Sequence, residues 1–319
     1  MKILVTGGAG FLGIRLIKAF LHGTGASPAD VRIVAADANP CPIDDARVES
    51  RVGTITDPAF IADIVDNEVN VVCHLAAVLS GGAEADFDEG MRVNVDATRT
   101  LLEACRQRGN RPRLMFTSTI AVFGGGLPEV VPENLAVTPQ SSYGTEKAIC
   151  ELLIADYTRR GFIDGVSCRV PTVAIRPGVP NSAMSSFVSG IVREPLAGVG
   201  SVCPVPLDTR VWITSPDTAI ANLLRAATLP ASAFEGRAVL NFPGLSVTPA
   251  EMLDSLERLA GAGARALVRC EPDPATMRIV CGWPGAFDIS RPLRLGFRVD
   301  EHIDAVVRQF MSERAQDSR

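Results

Sequence analysis

Lys2-Ile3-Leu4-Val5-Thr6-Gly7-Gly8-Ala9-Gly10-Phe11-Leu12-Gly13 opens the chain, and its reading decides the fold. An apolar run of strand type meets glycines that fit two registers, Gly7-x-x-Gly10-x-x-Gly13 and Gly8-x-Gly10-x-x-Gly13. Both describe a strand turning abruptly into a helix. In such a turn one glycine permits the tight bend, one lets the backbone approach a pyrophosphate, and one lets the helix pack close on the strand. Leu12, Leu16, Ile17, Phe20 and Leu21 then share one helical face. The start of that helix offers free N–H groups and a positive dipole end to an anion. A second apolar run, Val31-Arg32-Ile33-Val34-Ala35-Ala36, closes on Asp37. An acidic side chain there would bond the ribose hydroxyls of an adenosine and repel a 2′-phosphate, so NAD is expected over NADP.

The chain has 319 residues, enough for one large domain or two unequal ones. No run approaches the roughly 18 apolar residues that span a bilayer, and no signal-peptide pattern precedes the first strand, so a cytoplasmic protein with no membrane partner is expected. A net charge of −5 without a basic stripe argues against nucleic acid. The eight cysteines form no C-x-x-C pair and read as free thiols, and the three histidines are not spaced for a metal. No metal site is therefore expected.

Prolines in Ala38-Asn39-Pro40-Cys41-Pro42 impose a loop. A short strand near Arg51-Val52-Gly53, a helix opened by Asp57-Pro58, and the buried strand Val69 to Ala77 follow. A long helical period is expected from Asp88 to Arg108, with Asn94 inside it, then a strand from Arg113 to Thr119 and a helix opened by Pro139-Gln140-Ser141-Ser142. This alternation selects an α/β fold, a doubly wound parallel Rossmann sheet. After the strand Val166 to Val170, the stretches 176–209 and 236–290 are rich in proline, glycine and serine. The expected organisation is a dinucleotide-binding domain over 1–175, with 210–235 and the C-terminal helix returning to it. A smaller, interleaved α/β substrate domain would be built from 176–209 and 236–290.

Thr119, Tyr143 and Lys147 form a second constellation. Tyr143 and Lys147 stand four residues apart, so on a helix their side chains leave the same face about one turn apart. A phenol with an ordinary pKa of about 10 is a poor base at neutral pH, and a nearby ammonium stabilises its phenolate. A hydroxyl from Thr119 could hold a substrate oxygen beside the tyrosine, giving a base placed to take an alcohol proton while hydride leaves to the cofactor.

With the glycine loop, His74-Leu75-Ala76-Ala77, Asn94, Phe116-Thr117-Ser118-Thr119-Ile120-Ala121-Val122-Phe123-Gly124 and Tyr143-Gly144-Thr145-Glu146-Lys147, the chain resembles the extended short-chain dehydrogenase/reductase family along essentially its whole length. The resemblance implies that Tyr143 is the general acid/base, that Lys147 binds the nicotinamide ribose and lowers the tyrosine pKa, and that Thr119 binds the reacting oxygen, with Ser118 as the alternative one register away. It implies an NAD site drawn from Gly7, Gly10, Phe11, Leu12, Gly13, Asp37, Thr54, Ile55, Leu75, Ala76, Ala77, Asn94, Thr117, Tyr143, Lys147 and Pro171. Asn94 would orient a helix or a proton-relay water, or serve structure alone. In similar proteins the helices corresponding to 88–108 and 143–159 pair across a two-fold, so a homodimer is expected.

Departures from the nucleotide-sugar members narrow the substrate. Those usually carry Gly-Asp-Ile where this chain has Gly53-Thr54-Ile55, leaving backbone contacts at Thr54 and Ile55. They usually carry an Asn where Thr172 stands. Arg210-Val211-Trp212-Ile213 echoes the segment whose arginine binds a diphosphate, so Arg210 is a candidate for an anionic substrate group. Arg169 to Asn181, Ser185-Ser186-Phe187 and Asn241 to Thr248 resemble the branch of the family that acts on a four-carbon sugar acid. That implies NAD-dependent oxidation of D-erythronate at C2, the substrate being held by Ser118, Thr119, Thr172, Asn181, Ser185 and Arg210. Short polar groups with one arginine suit a small carboxylate. A nucleoside-diphosphate-sugar epimerase with tightly bound NAD is the alternative, and a non-enzymatic dinucleotide sensor the second alternative.

Overall fold

The computed structural model describes residues 1–23 and 31–317. Its strands are β1 (Lys2–Thr6), β2 (Arg32–Asp37), β3 (Val48–Val52), β4 (Val69–His74), β5 (Arg113–Thr119), β6 (Asp164–Val170), β7 (Thr172–Val173), β8 (Ser201–Cys203), β9 (Val211–Thr214), β10 (Val239–Asn241), β11 (Leu245–Val247) and β12 (Val268–Cys270). Its helices are α1 (Phe11–His22), α2 (Pro58–Ile64), α3 (Ser80–Ala85), α4 (Phe87–Gly90), α5 (Ala97–Arg108), α6 (Ser142–Arg159), α7 (Ser186–Leu196), α8 (Pro216–Thr228), α9 (Pro249–Ala260), α10 (Ala262–Arg265), α11 (Pro274–Val280), α12 (Ser290–Arg294) and α13 (Ile303–Asp317).

The chain divides into two compact units. The first comprises residues 1–119, 142–169 and 220–240. It holds a seven-stranded sheet in the order β10-β6-β5-β4-β1-β2-β3, in which β1 pairs in parallel with β2 and β4, β2 with β3, and β4 with β5. Residues 3–5 of β1, 33–36 of β2 and 71–74 of β4 are buried without alternation, as expected of parallel strands covered on both faces. The strand sequence runs outward from β1 to β3 on one side and from β4 to β6 on the other. The direction of winding therefore reverses between β1 and β4, and ligands of such sheets sit outside the carboxyl ends of the strands at that point. Thr6 and His74 are partners in register there, which brings the glycine loop beside Leu75-Ala76-Ala77.

The second unit comprises residues 120–141, 170–219 and 241–319 as divided by contact. It holds a three-stranded sheet, β11-β9-β7, and the parallel pair β12-β8. Ile191 and Val192 of α7, Met252, Leu253 and Leu256 of α9, and Val306, Val307 and Phe310 of α13 share one buried apolar cluster with Val211 and Ile213 of β9. Asp300 secures the entry to α8 by accepting from the Ser215 backbone N–H at 2.8 Å and from the Thr218 hydroxyl at 2.7 Å.

This division departs from the expected boundaries in several places, among them residues 170–175, which fall in the second unit because β7 pairs with β9, and 236–240, which fall in the first. The C-terminal helix α13 buries its apolar residues in the second unit, against α9. Residues 210–219 belong to that unit because β9 is the central strand of its sheet, and only 220–240 return to the large sheet. Residues 120–141 also belong to the second unit, where the N–H of Val131 donates to Ala286 and Glu133 pairs with buried Arg291.

Candidate active site

The turn from β1 to α1 is tight on its protein side. Gly7 has a φ of +72°, and a Cβ added to it would stand 2.8 Å from the backbone nitrogen of Ala76. A Cβ on Gly13 would collide with the Gly7 carbonyl oxygen, so α1 crosses β1 as closely as backbone allows. At Gly10, by contrast, an added Cβ would meet nothing but the Gly7 oxygen, at 3.2 Å. Gly10 is also the N-cap of α1 and makes no side-chain cap, which leaves the first-turn N–H groups to an anion. Asp37, at the end of β2, accepts from the N–H of Ala9 at 3.2 Å and of Asn39 at 3.0 Å, which places its carboxylate against the loop. These features fit the phosphates and adenosine ribose of a dinucleotide. Thr54 is exposed, while the side chain of Ile55 is buried in the core, leaving backbone as its contribution.

Helix α6 carries Tyr143 in its first turn and Lys147 one turn on. Lys147 is only 1% exposed; its ammonium donates to the Thr117 carbonyl at 3.0 Å and stands 4.5 Å from the centre of the Phe116 ring and 5.6 Å from that of Tyr143. Burial pushes its pKa down to about 8, against the charges of Glu146 and Glu151. The alternation of β5 leaves Thr117 and Thr119 half-exposed and Ser118 buried. Ser118 donates to Glu151 at 2.5 Å, and Arg169 grips the same carboxylate at 2.6 and 2.9 Å. Ser118 is therefore a core residue, and the substrate role considered for it is not what its position allows. Thr119 remains, on the same unit as Tyr143 and Lys147.

Two features were not visible in the sequence. His74 is buried, bonding Thr6 through Nδ1 at 2.6 Å and Thr98 through Nε2 at 2.9 Å. Because the Thr98 hydroxyl donates to the Asn94 carbonyl at 2.6 Å, its oxygen accepts from Nε2–H, and Nδ1 accepts from Thr6. Burial and then the Lys147 charge push the imidazole down to about 3, so His74 is a neutral strut between β1 and the helix above it. The second feature is a π-helical turn, Met91–Asp96, between α4 and α5. It interrupts the helix expected to run unbroken from 88 to 108 and turns Asn94 inward. Asn94 accepts from the Val78 N–H at 2.9 Å and donates to the Val78 carbonyl at 3.1 Å and to Glu146 at 2.5 Å. With its amide so engaged and 2% exposed, Asn94 braces the backbone at Val78.

The remaining candidates lie in the second unit. Thr172, Ser185 and Arg210 line one recess together with Trp212 and Trp283. Asn181 is outside that lining; its side-chain oxygen accepts from Arg176 at 3.3 Å and from the Ala183 N–H at 3.0 Å. Pro171 is buried. Among the described residues no group of three or more His, Cys, Asp or Glu side chains could hold a metal ion, and no helix is long and apolar enough to cross a membrane.

Residues 3–236 match the NAD dependent epimerase/dehydratase family. The chain belongs to this family. It is an NAD-dependent oxidoreductase of the extended short-chain dehydrogenase/reductase type, as the glycine loop, Asp37 and the Tyr143–Lys147 pair lead one to expect. A D-erythronate dehydrogenase of Cupriavidus necator is 49% identical to it, covering 98% of both chains. One of Haemophilus influenzae is 42% identical, covering 98% of this chain and 99% of that one. The crystal structure of a nucleoside-diphosphate-sugar epimerase from Agrobacterium tumefaciens is 40% identical and superposes with a TM-score of 0.90, covering 96% of this chain and 92% of that one.

Proposed function

We propose that this member of the family oxidises the C2 hydroxyl of D-erythronate to the 2-keto acid. The observation that carries the reading is its 49% identity, end to end, with an enzyme of that name. When bound, NAD supplies the hydride acceptor. Thr119 would hold the substrate hydroxyl and Tyr143 would take its proton as the alcohol is oxidised to the ketone. Lys147 would hold the nicotinamide ribose, and its ammonium favours the tyrosine in its deprotonated form. Arg210, exposed and in the recess with Thr172 and Ser185, and facing Glu251 at 3.9 Å, is a candidate cation for a carboxylate substrate.

The test is NADH absorbance with D-erythronate beside UDP- and dTDP-sugars. Stoichiometric NADH from the acid, and none from the nucleotide sugars, is the expected result. Conversion of a nucleotide sugar without net NADH would replace the proposal by the epimerase reading, which the name of the structurally similar Agrobacterium protein favours.

A pH dependence follows from Lys147. Its pKa in the folded protein is lowered to about 8 by burial, so the ammonium is present below that pH and is lost above it. The kcat/KM for NAD is expected to fall on the alkaline side with an apparent pKa near 8. Lys147→Arg, whose guanidinium keeps its proton throughout this range, should abolish that limb even where it lowers the rate; an unchanged limb would assign it to another group.

A further inference from the structure

The proposed chemistry leaves Glu146 without a task, although it immediately precedes Lys147. Its side chain is 1% exposed, a condition carboxylates rarely meet unless they are partnered. One oxygen, Oε2, accepts from Asn94 Nδ2 at 2.5 Å; the other, Oε1, is buried with no hydrogen-bond partner. The carboxyl lies directly against Gly90, where an added Cβ would collide with Oε1. Burial holds its pKa above the ordinary carboxylate value, opposed by the Asn94 hydrogen bond and the Lys147 charge and reinforced by Glu84 of α3.

What the carboxyl does is set by the amide it meets. The side-chain nitrogen of Asn94 has two N–H donors. The Val78 carbonyl takes a hydrogen bond from that nitrogen and Glu146 takes the other, while Asn94 Oδ1 accepts from the Val78 N–H. Val78 directly follows Leu75-Ala76-Ala77, the segment packed beside the glycine loop. Removing the Glu146 acceptor would orphan a buried donor and free the amide to turn away from Val78.

We propose that Glu146 is a positioning residue for the dinucleotide: through Asn94 it fixes the backbone at Val78, and with it Leu75-Ala76-Ala77, relative to the helix that carries Tyr143 and Lys147. The inference rests on NAD lying at the glycine loop with Tyr143 and Lys147 facing it. It does not depend on which alcohol is oxidised.

The experiment measures NAD affinity by calorimetry, and the KM for NAD against kcat, in a set of variants whose melting is followed in parallel. Glu146→Ala is expected to weaken NAD by about tenfold, near the lower end of what an orphaned buried donor costs. Its KM for NAD should rise more than its kcat falls. Glu146→Gln keeps an acceptor for Asn94 and should bind NAD close to wild type. Gly90→Ala drives a methyl group into the carboxyl, with the Ala83 methyl 3.1 Å away as its other neighbour, and should weaken NAD more in the wild-type background than in Glu146→Ala; should Glu146→Ala not fold, Gly90→Ala alone carries the test. Asn94→Ala combined with Glu146→Ala should be no weaker than Asn94→Ala alone. Wild-type NAD affinity in Glu146→Ala, a Gln variant as weak as the Ala variant, or losses that multiply in the double variant would each overturn the proposal. Failure of the dehydrogenase reading would look different: no acid would yield NADH in any of these proteins, while the pattern of NAD affinities stood.

Discussion

Tyr143→Phe is expected to lower NADH formation by about three orders of magnitude, within the range that a positioned general base supplies, and to leave NAD affinity within about twofold of wild type, well under the 1.4 kcal/mol that a tenfold change represents. The substitution removes one oxygen and keeps the ring. The ring is what stands 5.6 Å from the Lys147 ammonium, and the ammonium has a second fixed contact in the Thr117 carbonyl at 3.0 Å. The lysine therefore stays where it is, and ribose binding with it. Without the phenol oxygen, α6 loses the group proposed to accept the alcohol proton, and oxidation of the alcohol slows accordingly. Stopped-flow absorbance for NADH, with calorimetry for NAD, separates the two effects. Turnover retained in the phenylalanine variant would remove Tyr143 from the chemistry. Intact NAD binding, with no turnover in the wild type on any alcohol, would favour the dinucleotide sensor.

How far the site could be read from residues alone depended on the range of the forces involved. The glycine loop, Asp37 and the Tyr143–Lys147 spacing are local: backbone sterics, a helix terminus and one turn of α6 decide them, and these are written in consecutive residues. The π-helical turn at Met91–Asp96 is not. The apolar positions Met91, Val95, Leu101 and Leu102 satisfy a continuous helical period, and a single widened turn does not disturb that period enough to be noticed. Yet that turn is what aims Asn94 at Val78 and Glu146. Domain boundaries failed for a related reason: the apolar stripe of α13 states that it is buried, not which core buries it. Helix α9 is a different matter. Thr248-Pro249-Ala250-Glu251 carries a capping box and a proline at the first helical position, a local signal hidden within a stretch characterised by its proline and glycine content.

Ser118 and Thr119 show the same limit at the scale of one residue. Strand periodicity places them on opposite faces of β5, but the choice between faces is made by partners distant in sequence, Glu151 and Arg169. That partnership leads to the largest stability effect expected of a single substitution here. Arg169 and Glu151 are 8% and 5% exposed and meet through paired hydrogen bonds, with Ser118 as a third member. Arg169→Met leaves a buried carboxylate facing an apolar side chain and is expected to destabilise the protein by about 3–5 kcal/mol, the cost of breaking a buried pair by removing one partner. Glu151→Leu combined with Arg169→Met removes both charges, and much of that loss should be recovered, since a buried ion pair often contributes little net stability over an apolar replacement. Thermal and urea unfolding of the two single variants and the double variant form the cycle that measures the coupling. Additive losses would show that the pair is not coupled. Ser118→Ala should cost about 1.5 kcal/mol of stability, the lower end for a hydrogen bond to a charged group, since Arg169 still holds the carboxylate, and should leave the KM for the acid substrate unchanged. A raised KM without loss of stability would return Ser118 to the substrate site.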